Sequence, residues 1–265
     1  MTKHVSIFVL CLLALLLFSV SARAQGGPPY ITNDPGTPGN DNWEINIASQ
    51  QIVRQGVASR QVPQFDINFG IGDRIQFTYE VPFTVQTAPG QPTQSAWSNT
   101  FAGVKWRFWD HGEDSWQISI FPQFETGSSL ITQERGISIN GPRLYFPVEV
   151  AKKVGPLDVN FEAGYFFPWH GPCERTLGLV AGHQFTHHLE LDGEVYNDRV
   201  MGMLPHDTFF DFGGRYEFHT GLIALFMAGR SFSGNSSGQP EYLGYFGIQI
   251  LLSKFGRTLT PDAEP

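Results

Sequence analysis

The residues able to do chemistry in this chain are charged side chains set at every second position of otherwise apolar segments. Asp66, Arg74 and Glu80 alternate with Phe, Ile and Val, as do Lys105, Arg107 and Glu125. Further along, Glu149 and Glu162, Asp192 and Glu194, and Asp211 and Arg215 repeat the pattern, with Asp158, Glu190 and Glu217 beside them. Acids outnumber bases on this face. Charges lining a water-filled passage set its selectivity, and an acidic excess favours cations or neutral solutes. The same side chains can instead bond to one another and fill a narrow lumen. The sequence leaves both open.

Covalent chemistry finds no foothold. A hydrolase needs a nucleophile, a base and an orienting group held together. The chain has no Gly-x-Ser-x-Gly and no His-x-Ser-Asn-Gly; Asn140-Gly141 is a turn, and nothing in the sequence brings His170 to Ser128. No catalytic residue is assigned, and no cofactor-binding residue. His183, His187 and His188 come nearest to a metal cluster, but a site needs several ligands converging in defined geometry. Two of the three fall in a short turn, where polar residues are ordinary, so no metal ligand is assigned either. Cys173 stands alone in a loop between Pro172 and Glu174.

The elements that position the charged face begin after a secretory leader. Lys3 and His4 precede an apolar run from Val5 to Val20, and Ala22-Arg23-Ala24 supplies a small-residue cleavage site. This is a signal peptide over residues 1–24. Cys11 lies inside its apolar run, which argues against a lipoprotein. The full sequence carries a formal charge of −8. Cleavage removes Lys3 and Arg23 and no acid, making the mature chain more acidic still. A nucleic-acid partner, which needs a basic surface, is excluded on this ground. With one cysteine left, no intramolecular disulfide forms.

Residues 25–42 are rich in Gly, Pro, Asn and Asp, lack periodicity and read as an extended periplasmic linker rather than a plug. From Trp43 the period becomes two. Phe65, Ile67, Phe69 and Ile71 alternate with Gln64, Asp66, Asn68 and Gly70; after Gly72-Asp73, Ile75 to Val85 repeat the alternation. Successive strand residues point to opposite faces, so this is a hairpin with one apolar and one polar side. The same grammar predicts about twelve strands over residues 43–255, followed by a polar tail over 256–265. Segments near Thr176–Phe185 and Gly221–Phe232 are apolar or small on both faces, which leaves their facing open. Short connections (Ile71-Gly72-Asp73, Asp110–Asp114, Lys153–Pro156, Thr186–His188, His219–Thr220) alternate with longer ones, the first of the long class being a modest loop at Gln55–Arg60.

The predicted fold is all-β: a closed antiparallel transmembrane barrel with short periplasmic turns and longer external loops. A soluble sandwich also has amphipathic strands. Two features favour the bilayer: apolar faces heavy in Phe and Trp, and aromatic residues near strand ends (Trp43, Trp97, Trp109, Trp116, Trp169 and Tyr242), as interfacial girdles require. Lipid satisfies no free strand edge, so the sheet must close. The segment Tyr245-Phe246-Gly247-Ile248-Gln249-Ile250-Leu251-Leu252 resembles the final-strand signal read by the barrel-assembly machinery, although Phe255 is followed by a tail where such chains usually end.

Gly27-Pro28-Pro29, Asn33-Asp34-Pro35 and Trp43-Glu44, followed by these hairpins, resemble the outer-membrane barrels of the phenol-degradation MetA-pathway transporter type. The resemblance implies a channel for passive movement of a small solute, apolar or aromatic, and transfers no catalytic residue. The alternatives carried forward are a closed structural or surface-binding barrel and a lipid-modifying enzyme. The expected location is the bacterial outer membrane, with outer-membrane lipid, a small solute and the assembly machinery as partners.

Overall fold

The computed structural model describes residues 27–54, 56–112, 115–127, 129–202, 207–231 and 241–253. The signal peptide, its Cys11, the polar tail and Ser128 lie outside the described residues. Fourteen extended segments form one sheet, and because two strands are each interrupted once, they make twelve strands. These are β1 (Trp43–Arg54), β2 (Val57–Ile71), β3 (Ile75–Thr87), β4 (Gln94–Trp97 and Thr100–Trp109) and β5 (Gln117–Ile120 and Gln123–Thr126). There follow β6 (Arg143–Val154), β7 (Leu157–Pro168), β8 (Glu174–Thr186), β9 (Leu189–Val200), β10 (Asp207–His219), β11 (Leu222–Ser231) and β12 (Tyr242–Leu252). A five-residue helix, α1 (Leu130–Glu134), sits in the longest described connection, capped by Ser129.

Each strand pairs antiparallel with its sequence neighbours, and β12 returns to β1 from Trp43↔Leu252 to Val53↔Tyr242. No edge is left over, which is the condition for a sheet in lipid. The Gln55–Arg60 loop expected from sequence is corrected. Pairing of β1 with β2 runs out to Arg54↔Val57, through Gln51↔Arg60 and Ile52↔Ser59. At that end the backbone ladder holds the strands together although the apolar alternation has stopped.

Alternation sorts the barrel into an outside and an inside. Phe77, Trp106, Phe146, Phe161, Phe212 and Phe246 stand exposed on the outer wall. Asn46, Asp66, Asn68, Ser119, Glu149, Asn160 and Gln249 are buried on the inner one. A soluble barrel would have the reverse distribution. Trp43, Trp109 and Trp116 mark the end with the shorter connections; Trp97, Trp169 and Tyr242 mark the opposite end, and all six are exposed. This double girdle locates the two membrane interfaces.

The lipid face gives a first prediction. Phe212 lies near the middle of β10 and is 53% exposed. Phe212→Arg should destabilise the barrel by about 2–4 kcal/mol, the cost of a cation at the bilayer midplane. Urea-dependent folding into vesicles measures it, with Phe212→Leu as the control that stays near wild type.

Candidate functional site: a lumen holding the N-terminal segment

The inner wall is not uniform. On β2 to β5 it is polar, with Gln64, Asp66, Asn68, Gln76, Thr78, Glu80 and Gln123. On β8 to β12 it is mixed: Val180, Tyr196, Phe209, Leu225, Met227, Leu243 and Tyr245 form one buried apolar cluster with Ala48 and Tyr30, beside the buried charges of Glu190, Asp192, Glu194, Asp211 and Arg215. This settles the two strands whose facing the sequence leaves open, with Thr176, Gly178 and Val180 pointing inward on β8 and Leu225 and Met227 on β11. Small residues there make a hollow. A Cβ on Gly178 would stand 1.9 Å from Thr32 Oγ1, and one on Gly164 2.5 Å from the Tyr145 ring.

The linker expected over residues 25–42 is corrected by what fills that hollow. Residues from Gly27 to Asn42 run inside the barrel, with Tyr30, Thr32 and Asp34 buried. The reason is hydrogen bonding. An aperiodic segment has no ladder for its own N–H and C=O groups, and inside the barrel each must find a partner. The Glu194 carboxylate accepts from the N–H of Thr32 at 2.6 Å and of Ile31 at 3.1 Å. Glu162 Oε2 accepts from Asn33 twice, through backbone N–H and side-chain amide, each at 2.9 Å. The cations take the carbonyls: Arg215 Nη2 donates to Pro28 O at 2.8 Å, and Lys105 Nζ to Asp34 O. Tyr30 Oη donates to the Asp192 carbonyl at 3.1 Å, and Ile31 packs on the apolar cluster. Acids meet donors and bases meet acceptors throughout. Hydrogen bonds to charged groups each contribute about 1.5–3 kcal/mol net when buried.

Lower in the barrel the segment is tied to the first hairpins. Asp41 N–H donates to Gly70 O, Gly70 N–H to Asn42 O, and Gly72 N–H to Asn40 Oδ1. Gly70 is required there, since a Cβ would stand 1.9 Å from the Gly39 carbonyl oxygen.

Several of the remaining charged residues have identifiable partners, whereas the buried carboxylate oxygens of Asp192 and Asp211 accept no hydrogen bond from the described residues. Asp66 accepts from Asn46 at 2.9 Å and from Asn68, and Glu80 from Gln64 at 2.9 Å. Glu149, fully buried, accepts from Ser119 and lies 3.6 Å from Lys105 Nζ. Glu125 pairs with Arg143 at 2.6 Å, Arg107 with Asp110 at 3.1 Å, and Glu194 faces Asp211 across β9–β10. Arg74 departs from this set. It sits exposed in the turn before β3, its guanidinium donating to Asp110 O at 3.3 Å, because the turn carries it past the end of the alternation. Lys105→Met should cost about 3 kcal/mol or more in equilibrium unfolding, since it strands the buried Glu149 carboxylate and the Asp34 carbonyl together.

Between the segment and the β2–β6 wall lies a cavity of about 520 Å³. Neutral amides (Gln64, Gln76, Gln123 and Asn99) form one side; Phe101, Phe121, Tyr145 and Phe166 supply aromatic surface. Arg143 stacks on Phe166 at 3.9 Å. Glu80, Glu125, Glu162 and Lys105 line the same cavity. Among the described residues no group of three or more His, Cys, Asp or Glu is placed to hold a metal. His183 Nδ1 bonds Pro156 O at 2.7 Å, and His188 lies 3.8 Å from Glu217.

The segment residues Tyr30, Thr32, Asn33 and Asp34, and the receiving Gly178, are the site residues that alternation misses. Their one sequence signal is an aromatic–aliphatic pair, Tyr30-Ile31, between two rigid proline motifs in a stretch otherwise fit for solvent.

Closed sheet, apolar exterior and polar interior together define an outer-membrane β-barrel. No family model matches the chain, and no curated protein matches it. Solved structures do. The outer membrane channel from Pseudomonas putida F1 is 12% identical, with 82% of this chain and 97% of that chain covered and a TM-score of 0.61. The NanC porin is 8% identical over 78% of this chain and 98% of its own, TM-score 0.58. The KdgM porin in complex with disordered oligogalacturonate is 11% identical over 78% and 98%, TM-score 0.55. These likenesses establish the fold.

Proposed function

We propose that the chain is an outer-membrane channel of the phenol-degradation MetA-pathway type, moving a small apolar or aromatic solute passively past its own N-terminal segment. One observation carries the reading: the segment leaves a cavity of about 520 Å³ in which aromatic rings and neutral amides are set among charged side chains. The Gly27-Pro28-Pro29 and Asn33-Asp34-Pro35 motifs that support the family resemblance are the residues lodged beside that cavity. Polyanions such as the oligogalacturonate in the KdgM porin complex are disfavoured, because Glu80, Glu125 and Glu162 border the path and like charge excludes them.

The filled lumen also favours a second reading, a closed structural barrel. Planar-bilayer recording with the purified full chain separates the two. Small, cation-preferring conductance steps support the channel; a silent bilayer with correctly folded protein supports the closed barrel and refutes transport.

A further inference from the structure

We infer that the outer wall carries a lipid A phosphate site at the external rim of β8 to β11. At this rim most outward positions are apolar or aromatic: Trp97 on β4, Leu144 on β6 and Phe167 on β7 are all exposed. On β8, β9 and β11 they are Arg175, Arg199 and Arg230. Each is on the lipid side, since its neighbours Thr176, Asp198 and Ser231 point inward: Thr176 and Ser231 are buried, and Asp198 pairs with Arg54, which caps the inward Phe209.

Arg175 and Arg199 are direct cross-strand partners. Opposed residues stand about 5 Å apart at Cβ, and like charges there repel. No carboxylate relieves them: among the described residues none of the three arginines has an ion-pair partner. Arg175 Nη2 donates to Asn197 Oδ1 at 3.2 Å, and Arg230 Nε to the Ser231 carbonyl at 3.4 Å. The Nε atoms of Arg175 and Arg199 are shielded from solvent, so the terminal Nη groups are the donors left for a ligand. Two such groups, carried on directly opposed strand positions, fit the oxygens of one phosphate.

The source of that phosphate follows from position. The external interface of an outer membrane is the headgroup level of lipopolysaccharide, whose lipid A carries phosphates on its sugar pair. Tyr165, directly opposite Arg175, and Phe210, directly opposite Arg230, are exposed beside them and offer surface to its acyl chains. Lipid A supplies both the phosphate and the chains; free phosphate supplies only the first.

The test uses the full chain in phosphate-free detergent and native mass spectrometry. The probes are bisphosphorylated lipid A, dephosphorylated lipid A, phosphatidylglycerol and inorganic phosphate. Bisphosphorylated lipid A should bind, and Arg175→Gln with Arg199→Gln should weaken it about tenfold, the loss of roughly one charge-assisted hydrogen bond. Equal binding of dephosphorylated lipid A or of phosphatidylglycerol, competition by equimolar inorganic phosphate, or unchanged binding by the double variant would overturn the site. Without lipid A the double variant should melt no lower than wild type, because the pair repels; a lower midpoint would assign the arginines to wall packing and also overturn the proposal.

Discussion

Deleting Gly27–Thr37 should raise the single-channel conductance several-fold and strengthen cation selectivity. The barrel ladder is closed without these residues, since β1 pairs with β12 and β2 throughout. The fold should therefore persist, visible as unchanged heat-modifiable migration. What is lost is the chain that fills the hollow on β8. The wall that reappears is acidic: Glu162 and Glu194 lose the N–H donors of Ile31, Thr32 and Asn33, and Asp192 and Asp211 flank them. Freed carboxylates attract cations into the widened path, so the reversal potential in a salt gradient moves toward that of the cation. Conductance and selectivity equal to those of the intact chain would mean that the segment does not limit the passage.

Gly178→Val should reproduce that opening without shortening the chain. Any Cβ at Gly178 stands 1.9 Å from Thr32 Oγ1 and about as close to the rest of that side chain as 2.9 Å, so the segment must leave the hollow. Valine itself suits an extended strand, and Gly178 has no left-handed backbone angle to lose. The cost falls on the segment alone. Limited proteolysis at the N-terminus should become fast, and conductance should approach that of the deletion. Gly182→Ala is the contrast: its Cβ meets the tip of Asp192, a side chain that can rotate away, and the segment stays. Thr32→Gly combined with Gly178→Val removes the three atoms nearest the new Cβ and should restore closure. A valine variant with a protected N-terminus and wild-type conductance would place the segment's hold elsewhere.

Much of this barrel is legible in the sequence, for a definite physical reason. Phe65 to Ile71 and Ile75 to Val85 face lipid on one side and polar groups on the other, and period two then reports facing directly. The same holds for β6, β7, β9 and β12, and the Trp and Tyr positions mark both interfaces. Legibility fails where that contrast fails. On β8 and β11 the inward residues are Gly178, Val180, Leu225 and Met227, small or apolar because they receive Tyr30 and Ile31. Both faces of those strands are then dry, and alternation carries no information. The segment itself is illegible for the complementary reason. Its polar groups are satisfied by side chains about 130–160 residues away, so its local composition is that of a solvated linker. The stretch around Gln51 to Arg60 misleads in the opposite direction: β1 and β2 stay paired there by the backbone ladder, without an apolar alternation to report it.

The account rests on solute moving past an occupied lumen. Liposome swelling with the full chain, across neutral solutes of increasing size, tests it most directly. It predicts swelling with small aromatic and aliphatic solutes, a sharp cut-off above them, and a higher cut-off after deletion of Gly27–Thr37. No swelling with the smallest solute, in either form of a correctly folded barrel, would contradict it.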